Sequence, residues 1–244
     1  MPFTAAHPLL VLPLRRTALP MSALVAGSAV PDVPVFLRAT ELYPVTHSVL
    51  GIVLVDPLLA VLSLLLWFAW LRDAVVDLTP DAVRMRLPAH ATIDRTRWAL
   101  VVPAAMLGAL THVLWDEVTH DGRWGTRHVG VLADHYGPWS GALWFSYVSG
   151  VVGTAVVVAV AVAWLVRQPR SRDLRPRRLP GSTWLLWPAV GLVVALLAAI
   201  LHRSAGPLVM AFWAVVAGVL ASAAVVVVTA TWWHGLRRPR QGGG

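Results

Sequence analysis

Lysine and cysteine are missing from this 244-residue sequence, and charged residues make up only 13% of it. The absence of cysteine excludes disulfides, thiolate metal sites and a cysteine nucleophile. Soluble domains carry about 25% charged residues, so the low charge and the 57% share of hydrophobic residues exclude an ordinary soluble domain. The composition therefore predicts an integral membrane protein.

Every basic residue is an arginine, and the basic residues exceed the acidic ones by a formal charge of +8. Such an excess can indicate nucleic-acid binding. These arginines instead lie in short runs between apolar segments, as residues that set membrane topology do, so we expect no nucleic-acid partner. No basic region precedes an apolar core at the start of the chain, and Pro8, Pro13 and Pro20 interrupt it. We therefore expect no cleaved signal peptide.

Five apolar segments are long enough to cross about 30 Å of hydrocarbon as helices. They cover about 47–71, 98–116, 139–166, 184–202 and 207–233, and a weaker sixth candidate covers 21–37. The short stretch from His202 to Pro207 predicts that the last two segments form a helical hairpin. The predicted fold is an all-α, polytopic integral membrane helical bundle with five to six transmembrane helices, in a single membrane domain over residues 1–244.

Arginine placement predicts the orientation, because basic residues that flank membrane helices favour the cytoplasmic side. The run from Arg167 to Arg178 holds six arginines and one aspartate, so we expect it inside. Threading from this run also places Arg15, Arg16, the 72–97 loop and the tail from Arg237 to Arg240 inside. The protein is thus expected in the plasma (inner) membrane, with a cytoplasmic C-terminus.

The same threading predicts two functionally different parts of the chain. Residues 1–138 carry the ionisable side chains that fall near the outer membrane face. Residues 139–244 supply three apolar anchoring helices, with an arginine-rich cytoplasmic loop and tail. Tryptophans, including Trp115, are interpreted as anchors at the membrane interface.

The most informative polar residues are His112, Asp116 and His120, which follow the apolar segment 98–116 in the string THVLWDEVTHD. Their i, i+4, i+8 spacing predicts that they share one stripe of a helix. Ionisable groups at the end of a membrane span are costly and indicate function. An imidazole and a carboxylate at this spacing can bind one divalent ion, or the carboxylate can bridge two ions.

The other ionisable residues are either candidate functional residues or residues that we interpret as structural or solvated. His47 opens an apolar segment in the string THS, Asp32 closes one in the string VPD, and His7 lies in the string HPLL. By itself, Asp32 is also compatible with a helix cap. We interpret a further set as interfacial or capping histidines and solvated loop acids: His128, His135, His202, His234, Glu41, Glu117 and Asp121.

Four strings resemble a known family of bacterial integral membrane proteins, the domain of unknown function numbered 4184. They are MPFTAAHPLLVLPLRR, SALVAGSAVPDVPVFL, THSVLG and THVLWDEVTHDGRW, and the resemblance covers essentially the whole chain. More distantly, the order His, Pro-Asp, Thr-His-Ser and His-x-x-x-Asp is similar to that of membrane-bound metal-dependent hydrolases. It is similar, more remotely, to the zinc-dependent phospholipase C fold.

The resemblance implies a ligand set. Asp32, His47, His112 and Asp116 would bind one zinc, and Asp116 would bridge to a second ion that His7 also binds. His120 would be a further ligand or would support one. The phospholipase pattern also has a late His-x-x-x-Glu pair, whereas here Tyr136, Gly137, Pro138 and Trp139 follow His135. We therefore expect one or two divalent ions.

The expected activity is that of a membrane-embedded zinc hydrolase that uses metal-activated water on a lipid or membrane-linked phosphoester. Asp32 and Asp116 are the candidate catalytic residues, with Asp32 or Glu117 as general base. Arg123 and Arg127 would hold a phosphate or contact lipid headgroups. The alternatives are an ion-binding, transporter-like protein and a structural or assembly protein without catalysis.

One expectation conflicts with the topology. If 21–37 spans the membrane outward, His7 starts on the cytoplasmic side and cannot meet His47. The alternative is a hairpin of short helices over residues 7–37 that returns to the outer face. Irregular backbone at membrane depth is allowed where it is buried in protein or lines a water cavity, and we favour the hairpin.

Overall fold

The computed structural model describes residues 4–171 and 175–236 and is almost entirely helical. Within these ranges, five helices are long and apolar enough to cross a membrane. They are Gly51–Leu78, Arg95–Thr119, Gly141–Arg167, Thr183–Leu201 and Pro207–Gly235. The predicted all-α polytopic membrane fold is confirmed, with five spans. The predicted cytoplasmic tail, Arg237 to Arg240, and part of the run from Arg167 to Arg178 lie outside the described residues.

The α-helices are numbered in chain order. They are α1 (Pro8–Val11), α2 (Met21–Ala29), α3 (Val33–Phe36), α4 (Tyr43–Thr46), α5 (Asp56–Leu66), α6 (Arg72–Leu78), α7 (Asp81–Arg84), α8 (Val101–Thr119), α9 (Trp124–His128), α10 (Gly130–Ala133), α11 (Gly141–Arg167), α12 (Leu186–Leu201) and α13 (Pro207–Gly235).

Shorter elements extend or join these helices. The 3-10 segments are Thr4–Ala6, Leu12–Arg16, Val30–Asp32, Thr40–Leu42, Arg95–Leu100, Thr183–Leu185 and Arg203–Ala205. The π-helical turns Gly51–Val55 and Trp67–Leu71 lie within the first span. Two short antiparallel strands, β1 (His135–Tyr136) and β2 (Trp139–Ser140), form a hairpin before α11.

The chain divides into two compact units. The first comprises Met1–Leu65 and Ile93–Trp164, and the second comprises Leu66–Thr92 and Leu165–Gly244. The first unit contains every candidate ligand named above. The division of the site-bearing and anchoring parts at residue 138 stays a prediction.

The sixth candidate span is a bent helical segment instead. Helix α2 is only nine residues long, and the 3-10 turn Val30–Asp32 and α3 follow it. Pro31 and Pro34 favour this break, because proline lacks the N–H that would continue a helix. His7 and Asp32, which lie at opposite ends of the N-terminal segment, both contact His112. The N-terminal segment therefore has the hairpin arrangement.

Helix α2 packs closely along α8 through glycines. A Cβ atom at Gly27 would collide with the backbone of Ala105, and one at Gly108 would collide with the backbone of Leu24 and Ser28. Only residues without a side chain allow this approach. This close packing, one turn before His112 in α8, brings the carbonyl oxygen of Ser28 within hydrogen-bond distance of His112.

In the second unit, α12 and α13 form the predicted hairpin. Gly206, between the helices, has a φ of 93°, which glycine adopts readily. Trp187 donates its indole N–H to Thr229 Oγ1 at 3.1 Å. A small apolar core completes this unit, built from Ala74, Leu78, Leu179, Ala230 and Trp233.

Candidate metal centre

Four of the predicted ligands converge in the first unit. One ligand atom from each of Asp32, His47, His112 and Asp116 lies within 4.8 Å of the others. These four residues are buried, with exposures between 0% and 8%. Asp32 lies in the turn before α3, His47 follows α4, and the other two lie in α8. This buried Asp/His group could hold a metal ion.

His112 is oriented by the packing of α2 on α8. Its Nδ1 lies 2.8 Å from the carbonyl oxygen of Ser28, and because a carbonyl only accepts, Nδ1 donates. In the neutral ring the lone pair is therefore on Nε2, which lies 3.6 Å from both Asp32 Oδ1 and Asp116 Oδ2. Among the described residues, Nε2 has no hydrogen-bond partner. Histidines that bind metals are typically held in this way by the other ring nitrogen.

His47 has the same arrangement. Its Nδ1 donates to the carbonyl of Tyr43 at 3.0 Å, which leaves the lone pair on Nε2. That atom lies 3.3 Å from Asp116 Oδ2 and has no hydrogen-bond partner within the described ranges. The preceding Thr46 donates its hydroxyl to the carbonyl of Pro31 at 2.8 Å. This bond ties α4 to the segment that carries Asp32. His47 thus ends α4, whereas we predicted that it opens the first span.

The second oxygen of Asp116 faces two further histidines. Its Oδ1 lies 3.7 Å from His7 Nε2 and 3.4 Å from His120 Nδ1. His120 reaches it from just beyond the end of α8, in extended backbone. His7 stacks on His112, with 3.7 Å between ring centroids. Burial, followed by the nearby His112, lowers the pKa of His7 to about 3, so its imidazole is neutral at neutral pH.

Asp32 does not act as a side-chain helix cap. It precedes α3 but makes no capping hydrogen bond. Its Oδ2 accepts a hydrogen bond from the hydroxyl of Thr4, while Oδ1 faces His112. The capping interpretation is therefore wrong, and Asp32 belongs to the buried group.

Tyr43 is a residue of the group that sequence reasoning missed. Its hydroxyl donates to Asp116 Oδ2 at 3.0 Å, and its ring stacks on His47 with 3.7 Å between centroids. Burial and the carboxylates of Asp116 and Asp32 raise the pKa of Tyr43 above its usual value, so the phenol stays a donor. The i, i+4 spacing of Tyr43 and His47 in YPVTH was the only signal available.

The four strings that carry the family resemblance thus contribute the residues of one buried group, together with Tyr43. A model of the family described as domain of unknown function (DUF4184) matches residues 1–234. The chain belongs to this family. Neither the curated proteins nor the solved structures give a match. The more distant similarity to metal-dependent hydrolases stays a prediction.

The loop after α8 is held by side chains that we had interpreted as solvated. Glu117 accepts from the main-chain N–H of Trp124 at 2.9 Å and pairs with Arg123 at 3.3 Å. These contacts direct it to the loop, so the structure does not support it as general base. Asp121 accepts from the Ser140 hydroxyl at 2.6 Å. Both acids therefore have structural partners.

The predicted phosphate-binding arginines differ in their positions. The guanidinium of Arg123 lies 5.8 Å from the centre of the Tyr43 ring, at the edge of the group. Arg127 is exposed on α9, and the structure does not bring it to the ligands. His128 and His202 each donate from Nδ1 to a carbonyl four residues earlier, at 2.8 and 2.9 Å. These contacts agree with their interpretation as capping residues.

A small open cleft reaches the group from the side of α11, with enclosed room for about one water molecule. It is lined by candidate ligands together with small and polar residues: Ala6, His7, Asp32, Trp115, Asp116, Thr119, His120, Ser146, Ser149 and Gly150. Trp115 therefore lines the cleft, and its ring lies 5.2 Å from that of Phe145. The cleft gives water access to Asp32 and Asp116.

Proposed function

We propose that the protein is an integral membrane, zinc-dependent hydrolase. The observation that carries this proposal is the convergence of two imidazole lone pairs on two buried carboxylates. His47 and His112 each donate one ring nitrogen to a main-chain carbonyl and direct the other, without a hydrogen-bond partner, at Asp116. Nitrogen and carboxylate oxygen are the ligands that zinc takes in catalytic sites.

The donor set fits one or two divalent ions. Asp32, His47, His112 and Asp116 Oδ2 would hold the first ion, while His7, His120 and Asp116 Oδ1 would hold a second. Asp116 Oδ1 and His7 Nδ1 are buried without a hydrogen-bond partner among the described residues. A buried polar atom without a partner is costly in free energy. A cation bound to Asp116 Oδ1 would supply the partner that this atom lacks.

Charge favours an anionic substrate at a site with two ions. With imidazole ligands counted as neutral, the two carboxylates carry a formal charge of −2, and two divalent ions would bring the group to +2. When bound, zinc supplies Lewis-acid activation of water and of a phosphoryl oxygen. Asp32, held on its other oxygen by Thr4, is the proposed general base. A phosphoester would approach at the mouth of the cleft, beside Ser146 and Ser149.

The proposed substrate is a lipid or a membrane-linked phosphoester at the outer face of the plasma membrane. The group lies at the end of the span Arg95–Thr119, where a lipid headgroup would meet it. Arg84 and Arg86 lie between the first two spans, and Arg95 and Arg97 lie at the opposite end of Arg95–Thr119, which favours a cytoplasmic location for that side. A reporter fused after Arg240 should be active only in the cytoplasm, and a periplasmic signal would reverse this orientation.

Metal analysis tests the core of the proposal. Purified wild-type protein, loaded under zinc-replete conditions and desalted, should retain about one or two zinc ions per chain. The variants His112→Ala and Asp116→Ala should lose them, and His128→Ala, which changes a histidine outside the group, should not. A wild-type protein that retains no transition metal would end the hydrolase proposal.

Hydrolysis is tested separately on the zinc-loaded protein. We expect turnover of phosphoesters in mixed lipid micelles that a chelator abolishes and added zinc restores. Bound zinc without turnover of phosphoester or carboxylic ester substrates would favour the structural or assembly role instead.

Asp56 favours a second candidate, an ion-binding transporter. It lies inside the first span, directly after the π-helical turn Gly51–Val55, and is fully buried. Neither of its carboxylate oxygens has a hydrogen-bond partner among the described residues. Buried intramembrane acids often mark ion pathways. Transport predicts zinc uptake into proteoliposomes that Asp56→Asn abolishes, whereas the hydrolase proposal predicts no uptake by the wild type.

A further inference from the structure

We propose that Tyr43 is the positioning residue of the metal centre and that its hydroxyl fixes how Asp116 divides its two oxygens between the ligand sets. The inference rests on the metal-binding part of the proposed function. Tyr43 contacts two candidate ligands, Asp116 and His47, but is not itself a proposed ligand.

The first contact of Tyr43 is with Asp116. The terminal torsion of an aspartate is broad and roughly two-fold, so α8 alone does not decide which oxygen faces which partner. The Tyr43 hydroxyl donates to Oδ2 at 3.0 Å, and this is the oxygen that lies near His47 and His112. Oδ1 is thereby left facing His7 and His120. The hydroxyl therefore holds the carboxylate plane in the orientation that a bridging role requires.

The second contact is with His47. The carbonyl of Tyr43 accepts from the main-chain N–H of His47 at 3.1 Å and from its ring Nδ1 at 3.0 Å. The Tyr43 ring also stacks on the imidazole. The main chain and the ring thus fix His47, whereas the hydroxyl serves Asp116 alone.

The position of the phenol is itself constrained. Its ring stacks on the His47 imidazole with 3.7 Å between centroids, and the Arg123 guanidinium lies 5.8 Å from the ring centroid. Arg123 in turn pairs with Glu117, one residue after Asp116. A hydroxyl on so constrained a ring donates from a fixed direction. Phenylalanine would keep the ring contacts and the carbonyl bonds, so the change Tyr43→Phe isolates the hydroxyl.

The experiment compares zinc and cobalt binding by the wild type, Tyr43→Phe and Tyr136→Phe in detergent. Tyr136 is the matched control, since it is half exposed in β1, outside the group. Affinities are measured by competition with a chelator, and the visible spectrum of the cobalt-loaded protein reports ligand geometry. Thermal unfolding of the metal-free proteins tests whether the fold is intact.

We expect Tyr43→Phe to weaken metal binding by about 10- to 100-fold, the usual effect of losing a hydrogen bond to a ligand. The cobalt spectrum should change, the metal-free melting temperature should not, and Tyr136→Phe should match the wild type. Wild-type affinity and spectrum in Tyr43→Phe, with metal lost in His112→Ala, would overturn the positioning role and leave the metal centre standing. A wild-type protein that binds neither ion would overturn both.

Discussion

Asp116 in the first unit and Asp77 in the second are both buried aspartates, and their surroundings differ in one respect. Asp77 is fully paired: Oδ1 accepts from Arg84 at 2.8 Å, and Oδ2 accepts from the Trp233 indole at 2.8 Å. Asp116 has four histidines within 3.7 Å of its carboxylate but no hydrogen-bond partner on Oδ1 within the described ranges. A closed set of partners marks a structural aspartate, whereas an open one marks a place for a ligand.

The same contrast extends to the neighbours of each aspartate. Around Asp77, arginines donate to carbonyls: Arg177 to Asp77 and Thr79, and Arg178 to Trp233. Around Asp116, the neighbours are imidazoles, and Nε2 of His47 and of His112 has no hydrogen-bond partner among the described residues. In the second unit, charged side chains thus pair with groups of the fold, whereas in the first unit acceptor atoms around Asp116 remain without donors from the part of the chain that the structure describes. Four predictions follow from this difference.

The largest effect is expected from Asp77→Ala. The change leaves the buried guanidinium of Arg84 without its carboxylate, and breaking a buried ion pair costs about 3–5 kcal/mol. Thermal unfolding should show a large fall in melting temperature, while the zinc content of the folded fraction stays at the wild-type value. Asp81→Ala is the control, since its half-exposed side chain also pairs with Arg84. An equal fall in that control would refute the special role of Asp77.

Asp116→Asn should have the opposite signature. The amide keeps the shape of the side chain but is a poor ligand, so zinc affinity should fall by about 100-fold or more. The metal-free protein should unfold close to the wild-type temperature, because the amide oxygen can still accept from the Tyr43 hydroxyl. Chelator competition and thermal unfolding on the same samples give both values. A strongly destabilised metal-free variant would mean that Asp116 is a structural aspartate like Asp77.

Removal of zinc from the wild type should lower its stability. A ligand present at 100 times its dissociation constant stabilises the folded state by about 2.7 kcal/mol. We therefore expect a chelator to lower the melting temperature of the wild type but to leave that of Asp116→Asn unchanged. Equal shifts in the two proteins would place the metal elsewhere.

The smallest effect is expected from His120→Ala. Its side chain is one-third exposed, whereas that of His7 is 6% exposed. Loss of this accessible ligand should weaken the second ion by about tenfold and leave the first ion bound. Titration that resolves the two ions would measure this. If His120→Ala lost both ions, the assignment of separate ligand sets to the two oxygens of Asp116 would be wrong.

Much of the fold could be predicted because hydropathy decides which segments can cross a bilayer. The five spans were found with ends a few residues from those in the structure. The first span ended too early, at 71, because Arg72 and Asp73 were read as the start of a loop. In the structure Arg72 pairs with Asp73 at 2.9 Å and is buried, so the helix continues to Leu78. Hydropathy counts the charges of Arg72 and Asp73 separately, whereas the ion pair is neutral overall.

The candidate site was predictable only in part. Helical spacing alone brings His112 and Asp116 together, whereas Asp32, His47 and His7 were candidates by position and only the family resemblance joined them into one ligand set. Tyr43 and Asp56 were missed, since neither a tyrosine after a loop nor an aspartate before a proline has a distinctive spacing. Glu117 and Asp121 are accessible acids as predicted, but their partners, Arg123, Trp124 and Ser140, come from the following loop and were not predicted.

The sequence by itself determined the membrane spans, the i, i+4 placement of His112 and Asp116 and the orientation expected from arginines, because these depend on local composition and helical periodicity. Only the tertiary structure decided which side-chain atoms of the buried group are available to bind a metal ion. The glycine contacts of α2 with α8 bring the Ser28 carbonyl to His112, and the α4 turn brings Tyr43 and His47 to Asp116. Which lone pairs face the group depends on hydrogen bonds between distant segments, and no local pattern encodes them.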